Sequence, residues 1–489
     1  MEFSEFQLKE IFKNRKFDPP LKTLGGKSLD IIEVGTLNHD TGPDFKNSLV
    51  RIAGIAIRGD IEFHRHSSDW YSHGHQDDRN YNTVSLHIVG ACNDSMDCIT
   101  ESGRKVDVLR LTDFLSSDVE EFLKWSATDE YPGSVKCARE CHKLGLGEKL
   151  EYLRLLGEKR FAHKVGKFEE RLKDIIEENR PAVFEAKQKY FKDFAELQIE
   201  HRTYTKSELR QESHWDQLLY EGILEGLGYS KNASAFKKLA RNMPLSFLEE
   251  NAKGERTAVE AMLFGASGLL PANLNGFDEG SRAYCEDLIE HWHGVKKKHK
   301  REFIDKSEWF FYKLRPQNFP TLRIAGASHL IADECRTISA SDLIGRENSA
   351  EPEKILDSWR RFLVVPAGGY WMCHYVFGTP AAASAKMFIG AGRAEEIIIN
   401  AFLPLMYLRG EIFEMEVLKD NALMIYSAHP PTPDNNITLL VKESLFGGDN
   451  VFSSVIPQQG SLHLYRTLCS MSRCERCKIG KKLYGKTAA

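Results

Sequence analysis

Cysteine is scarce in this chain: ten in 489 residues is far too few for a disulfide-built scaffold. No charge of one sign dominates. Lys and Arg number 66 against 70 Asp and Glu, for a net charge of -4, so composition carries no global nucleic-acid signal and leaves room only for a local basic groove. Long apolar runs are missing as well. Nothing approaches the roughly 18 apolar residues that span a membrane, and the opening stretch MEFSEFQLKEIFKNRKF is charged, without the apolar core of a signal peptide. The chain therefore reads as cytoplasmic with no membrane partner, and clustered cysteines read as metal ligands or small buried hydrophobes. No fixed-period repeat is present, which argues against a solenoid.

What is present is 42% hydrophobic residues, enough for a sizeable core divided among two or three domains. The pattern predicts an α+β chain. An amphipathic helix (Phe3, Phe6, Leu8, Ile11, Phe12) is followed by short β-type runs, LDIIEVG, SLVRIAG, IAIRGDIEFH, VSLHIVG and KVDVLRL, separated by Gly, Asn and Asp turns. Residues 1–115 form this small mixed-sheet domain, 116–210 a helical connector, and 211–489 a mainly helical domain broken by turns at PANLNG, RPQNFP, PAGGYW and HPPTPDNN.

The chemistry concentrates at 42–75, GPDFKNSLVRIAGIAIRGDIEFHRHSSDWYSHGH. If SLVRIAG and IAIRGDIEFH pair around Ala53-Gly54, Asp44 opens the first strand while Glu62, His64 and His66 alternate onto one face of the second. Two carboxylates on adjacent strands make a hard oxygen site for Mg²⁺ or Mn²⁺, an ion that activates water for attack on phosphate. The plain structural alternative is that Asp44 caps a turn and Glu62 is a strand-edge acid.

Pro43-Asp44 and Glu62-Phe63-His64, after a helix carrying Glu5 and Glu10, resemble the signature of the PD-(D/E)xK nuclease superfamily. The resemblance implies a nuclease-like fold and phosphodiester cleavage, with Asp44, Glu62 and His64 catalytic. His64 stands where the superfamily has lysine, and orienting the water then depends on its protonation state. The following block holds Asp69, Trp70, His73, His75, Asp78 and Tyr81, too dense for a loop under no chemical demand. Gly74 lets His73 and His75 aim at one ion or one phosphate. His66, Asp69, His73, His75 and Asp78 are candidates for a substrate or second-metal site.

These blocks together with LFGASGLL (263–270), LRPQNFPTLRIA (314–325), YWMCHYVFG (370–378), IIINAFLPL (397–405) and CSMSRCERCKIG (469–480) resemble the uncharacterised bacterial family DUF2851 over nearly the whole chain. That resemblance supplies no activity.

Cys469, Cys474 and Cys477 form C-x4-C-x2-C, a thiolate spacing for Zn²⁺ or an iron–sulfur cluster, with Cys137, Cys141 or His463 as candidate fourth ligand. RPQNFP and the 370–377 aromatics read as helix-start and core features, and KKKHKR (296–301) as a solvated helix end. Two main readings follow. One is a divalent-metal-dependent nuclease joined to a helical domain that grips nucleic acid. The other is a non-catalytic nucleic-acid or protein-binding scaffold that keeps the fold. A histidine-rich metallohydrolase of small phosphoesters, using His64, His66, His73 and His75, ranks below both.

Overall fold

The computed structural model describes residues 3–38, 42–93, 97–120, 135–180, 204–312, 314–332, 338–345, 351–471 and 473–485. Parts of the expected connector, residues 121–134 and 181–203, lie outside the described residues, as does the Phe6 side chain. The chain divides into two compact units, Met1–Lys143 with Tyr465–Ala489, and Leu144–Leu464. This partition differs from the expected one, because the cysteine-bearing end of the chain joins the N-terminal unit. Its buried Cys477, Ile479 and Gly480 need a surface to cover them, and Tyr484 Oη donates to Lys136 O at 3.2 Å.

In the first unit, helix α1 (Glu5–Lys13) begins at a capping box in which Ser4 Oγ accepts from Gln7 N and Gln7 Oε1 accepts from Ser4 N. Leu8, Ile11 and Phe12 are buried, which leaves Glu5 and Lys9, four residues apart, on a neighbouring face. Phe12 packs on Phe45 and Phe63 with ring centroids 5.5 and 5.2 Å away. That aromatic contact seats α1 over two central strands.

The sheet contains β1 (Leu21–Lys22), β2 (Ser28–Glu33), β3 (Thr36–Leu37), β4 (Phe45–Ile52), β5 (Ile55–His66), β6 (Val84–Ala91) and β7 (Asp107–Arg110). Its order is β1-β2-β4-β5-β6-β7, with β3 beside the start of β4. The β4–β5 hairpin turns at Ala53 and Gly54, both with positive φ, as its right-handed twist requires. β6 runs parallel to β5, and β7 parallel to β6. A parallel pair demands a crossover, and here it is residues 67–83, carrying the short helix α2 (Asp69–Ser72) and two single-turn 3₁₀ segments. The histidine block is that crossover. β6 is covered on both faces, so every residue of Val84–Val89 is buried, the polar Ser85 and His87 included.

The second unit is helical, with two small two-stranded antiparallel sheets, Val365–Pro366 with Met387–Ile389 and His374–Val376 with Thr379–Pro380. Its longest helix, Leu146–Glu178, meets Val455–Leu464 at a glycine-to-backbone contact: a Cβ on Gly460 would sit 1.8 Å from Leu153 O, and one on Gly157 2.1 Å from Ile456 O. Pro320 opens helix Pro320–Ile331 at its first position. Trp371 stacks on Phe264 in the core with centroids 5.2 Å apart. Among the described residues no helix is long and apolar enough to cross a membrane.

Candidate metal centre

Asp44 precedes β4 and faces Glu62 on β5. Asp44 N donates to Glu62 Oε2 at 2.9 Å, and Phe63 N donates to Asp44 Oδ2 at 3.1 Å, so the two carboxyl groups are locked across the hairpin. The remaining oxygen, Asp44 Oδ1, is 2.6 Å from Lys9 Nζ. Lys9 also reaches Glu5 Oε1 at 2.6 Å. Burial pushes Asp44 up to about 7, the Glu62 charge adding to this and Lys9 opposing it. Burial likewise pushes Glu62 up to about 8. Burial also works against the charge on Lys9, yet Asp44 and Glu5 hold that ammonium above the ordinary lysine range.

Glu62 Oε1 points the other way, toward imidazoles. It lies 3.7 Å from His64 Nε2 and 3.5 Å from His75 Nε2. His64 Nε2 is in turn 3.1 Å from His73 Nδ1 and 3.2 Å from His75 Nε2. Nitrogens bound to one ion at about 2.1 Å are about 3.0–3.4 Å apart in octahedral or tetrahedral arrangements, so these spacings fit a shared ion. Among the described residues, His64, His73 and His75 are the only group of three such side chains whose ligand atoms all lie within 4.8 Å of one another. Gly74, at φ +75°, makes the bend that turns both its neighbours inward.

The rings are held from behind. His64 Nδ1 is 2.8 Å from His87 Nε2, and His87 Nδ1 is 3.2 Å from Cys98 Sγ. With the proton on Nδ1 of each ring, His87 donates to sulfur and His64 donates to His87, which leaves the His64 Nε2 lone pair aimed at the site. Burial, then the neighbouring His87, His75 and His73, hold His64 down to about 2. Burial holds His87 down to about 3. At neutral pH both rings are therefore uncharged. His75 stacks on Tyr81 at 3.8 Å and lies edge-on to Trp70 at 5.4 Å, an aromatic frame that fixes its plane. His73 is exposed, so the site opens to solvent on that side.

Three expected members stand outside this group. The His66 ring turns to Asp69 at 3.7 Å, and Asp69 Oδ2 accepts from His66 N. Asp78 caps a turn, accepting from Asn80 N at 2.9 Å. Beyond the end of β5 the alternation that aligned His66 with Glu62 and His64 gives way to the crossover, and both acids satisfy backbone N–H groups there. Lys9 and His87 were not legible as site residues. Lys9 looks like an ordinary charged helix position, whereas His87, a lone ring in the apolar run VSLHIV, offered the only signal. Cys137, Cys469, Cys474 and Cys477 line one cavity in the same unit. His463 falls in the helical unit.

No curated protein and no solved structure matches the chain. A family model described as protein of unknown function (DUF2851) matches residues 5–195 and 187–436. With more than half of its length matched in this way, the chain belongs to the DUF2851 family.

Proposed function

We propose that the N-terminal unit is a divalent-metal-dependent phosphodiesterase of the nuclease type, with Glu62, His64, His73 and His75 holding the ion. The observation that carries this reading is the convergence of three imidazole nitrogens, with a buried Glu62 oxygen beside two of them, those of His64 and His75. Such a donor set suits manganese, zinc or iron better than magnesium. An ion held there would lower the pKa of a bound water and stabilise charge on phosphate oxygens. His87 fixes the tautomer of His64, and Asp44 presents Lys9 at the edge of the same carboxylate pair.

This arrangement alters the roles expected from the nuclease signature. His64 serves as a ligand rather than as a stand-in for lysine, and Lys9 from α1 supplies the cation that the strand lacks. Nucleic acid is favoured over a small phosphoester by a groove of about 430 Å³ in the same sheet. Lys46, Arg58 and Arg104 line it beside Asp60, with Lys46 paired to Asp60 and Arg58 to Glu33 at 2.9 Å each, so a phosphate backbone would bind by taking these cations from their acids.

Cleavage of single- and double-stranded DNA and of RNA in Mn²⁺, by wild type, Glu62→Ala and His73→Ala, tests the reading. Both variants should lose on the order of 10²-fold or more, about 3 kcal/mol of transition-state stabilisation. Undiminished cleavage in both would contradict it. A folded wild type that binds nucleic acid without cutting any of the three substrates would favour the binding scaffold instead.

A further inference from the structure

A second cluster of chemistry-bearing side chains lies apart from the histidines. Cys137 lies just before the 3₁₀ segment Ala138–Lys143, Cys469 ends a π-helical turn, and Cys474 and Cys477 flank another 3₁₀ turn. All four line one cavity of about 20 Å³, together with Lys136, Arg473 and Gly480. Residues more than 300 apart in sequence thus meet within one unit. Cys141 stands behind them, its Sγ donating to Cys137 Sγ at 3.6 Å. The packing is specific: a Cβ on Gly480 would fall 2.4 Å from Cys474 O, so the terminal helix Lys478–Tyr484 seats on the cysteine turn only because that position is glycine.

We infer that Cys137, Cys469, Cys474 and Cys477 bind a thiophilic metal centre, a single Zn²⁺ or an iron–sulfur cluster, that clamps the C-terminal segment to residues 135–143. Four thiols around one cavity match the donor count of a closed structural site. Binding releases the thiol protons and leaves a centre of net negative charge, and Lys136 and Arg473 line the cavity to balance it. Among the described residues no three of these sulfurs all lie within 4.8 Å of one another. A single ion, which suits a cavity of this size, would draw the sulfurs inward, and a cluster would widen the cavity. Cys141 does not line the cavity, and that sets it apart from the four as a supporting residue.

The test is elemental analysis and an absorption spectrum of full-length protein purified anaerobically. It is run in wild type, Cys474→Ser, Cys141→Ala and His73→Ala, the last reporting on metal held at the histidines. Zinc without visible absorption, or iron with acid-labile sulfide and a brown colour, each supports the inference and distinguishes the two centres. Cys474→Ser should lower that metal at least ~10-fold, while Cys141→Ala and His73→Ala keep it. Should Cys474→Ser not fold, thiol titration of the wild type decides: the four thiols should react only after a chelator or acid releases the metal. Immediate reaction of all four, or metal content unchanged in folded Cys474→Ser, overturns the inference.

Discussion

Lys9 Nζ lies 2.6 Å from Asp44 Oδ1, tying helix α1 to the residue that opens strand β4. The pair places an ammonium beside two carboxyl groups whose nearest strand neighbour, His64, is turned to the other histidines. If Lys9 acts on the substrate phosphate, Lys9→Gln should lower kcat by about 10²-fold and leave Mn²⁺ affinity within a fewfold of wild type. His64→Lys restores the residue usual in the nuclease superfamily yet deletes a donor, and should abolish Mn²⁺ binding and cleavage together. Calorimetry and a cleavage assay on both variants check this; an active His64→Lys would return His64 to the lysine's role.

Because His87 fixes the ring of His64 from behind, His87→Phe should weaken Mn²⁺ binding by about 10–100-fold while the fold persists. His87 is buried and its ring lies 5.2 Å from Trp70, so an aromatic replacement keeps the volume. A calorimetric titration with unchanged affinity would show that His87 is packing alone.

The glycine contact in the helical unit should be intolerant of one added methyl group. Gly460→Ala places a carbon 1.8 Å from Leu153 O, a backbone atom that cannot yield without moving a helix. The expected loss is about 2–3 kcal/mol or more, read as a lowered denaturation midpoint. An exposed glycine, Gly294, has nothing within 4 Å of the added carbon and serves as the control.

Glu395 accepts from Arg360 Nε at 2.6 Å and pairs with His429 Nε2 at 2.8 Å. Burial acts to raise its pKa, but His429 and Arg360 together hold it below the ordinary value. A depressed folded pKa stabilises above the unfolded value of about 4.3, and that contribution disappears as pH falls through the folded value. Glu395→Ala should therefore cost about 1–3 kcal/mol at pH 7, and the gap from wild type should narrow in acid. Denaturation curves at several pH values check it, and a constant gap would contradict the account.

The N-terminal strands were legible because each is a short apolar run bounded by turn residues, and the Ala53-Gly54 hairpin followed from the glycine, whose missing Cβ suits the positive φ of the turn. The hairpin in turn made the nearness of Asp44 and Glu62 legible. The contact between Lys9 and Asp44 was not. It depends on Phe12 packing against Phe45 and Phe63, a tertiary arrangement that no local pattern encodes. The split of the histidine block was equally hidden. Spacing grouped His66, Asp69 and Asp78 with His73 and His75, and only the course of the crossover between two parallel strands separates them. Ligand chemistry had already named Cys137 and Cys141 as candidate partners of the C-terminal cysteines, but composition left that segment with the helical region, and its place in the N-terminal unit came only with the fold.

Pulsed electron paramagnetic resonance of Mn²⁺ bound to metal-stripped protein tests the central claim most directly, because it reads ligand nitrogens and thiolates compete poorly for that ion. The account predicts directly coordinated imidazole nitrogen from His64, His73 and His75, with part of the signal lost in His73→Ala and His75→Ala. A bound Mn²⁺ showing only carboxylate and water ligands, or no bound Mn²⁺ at all, would contradict it.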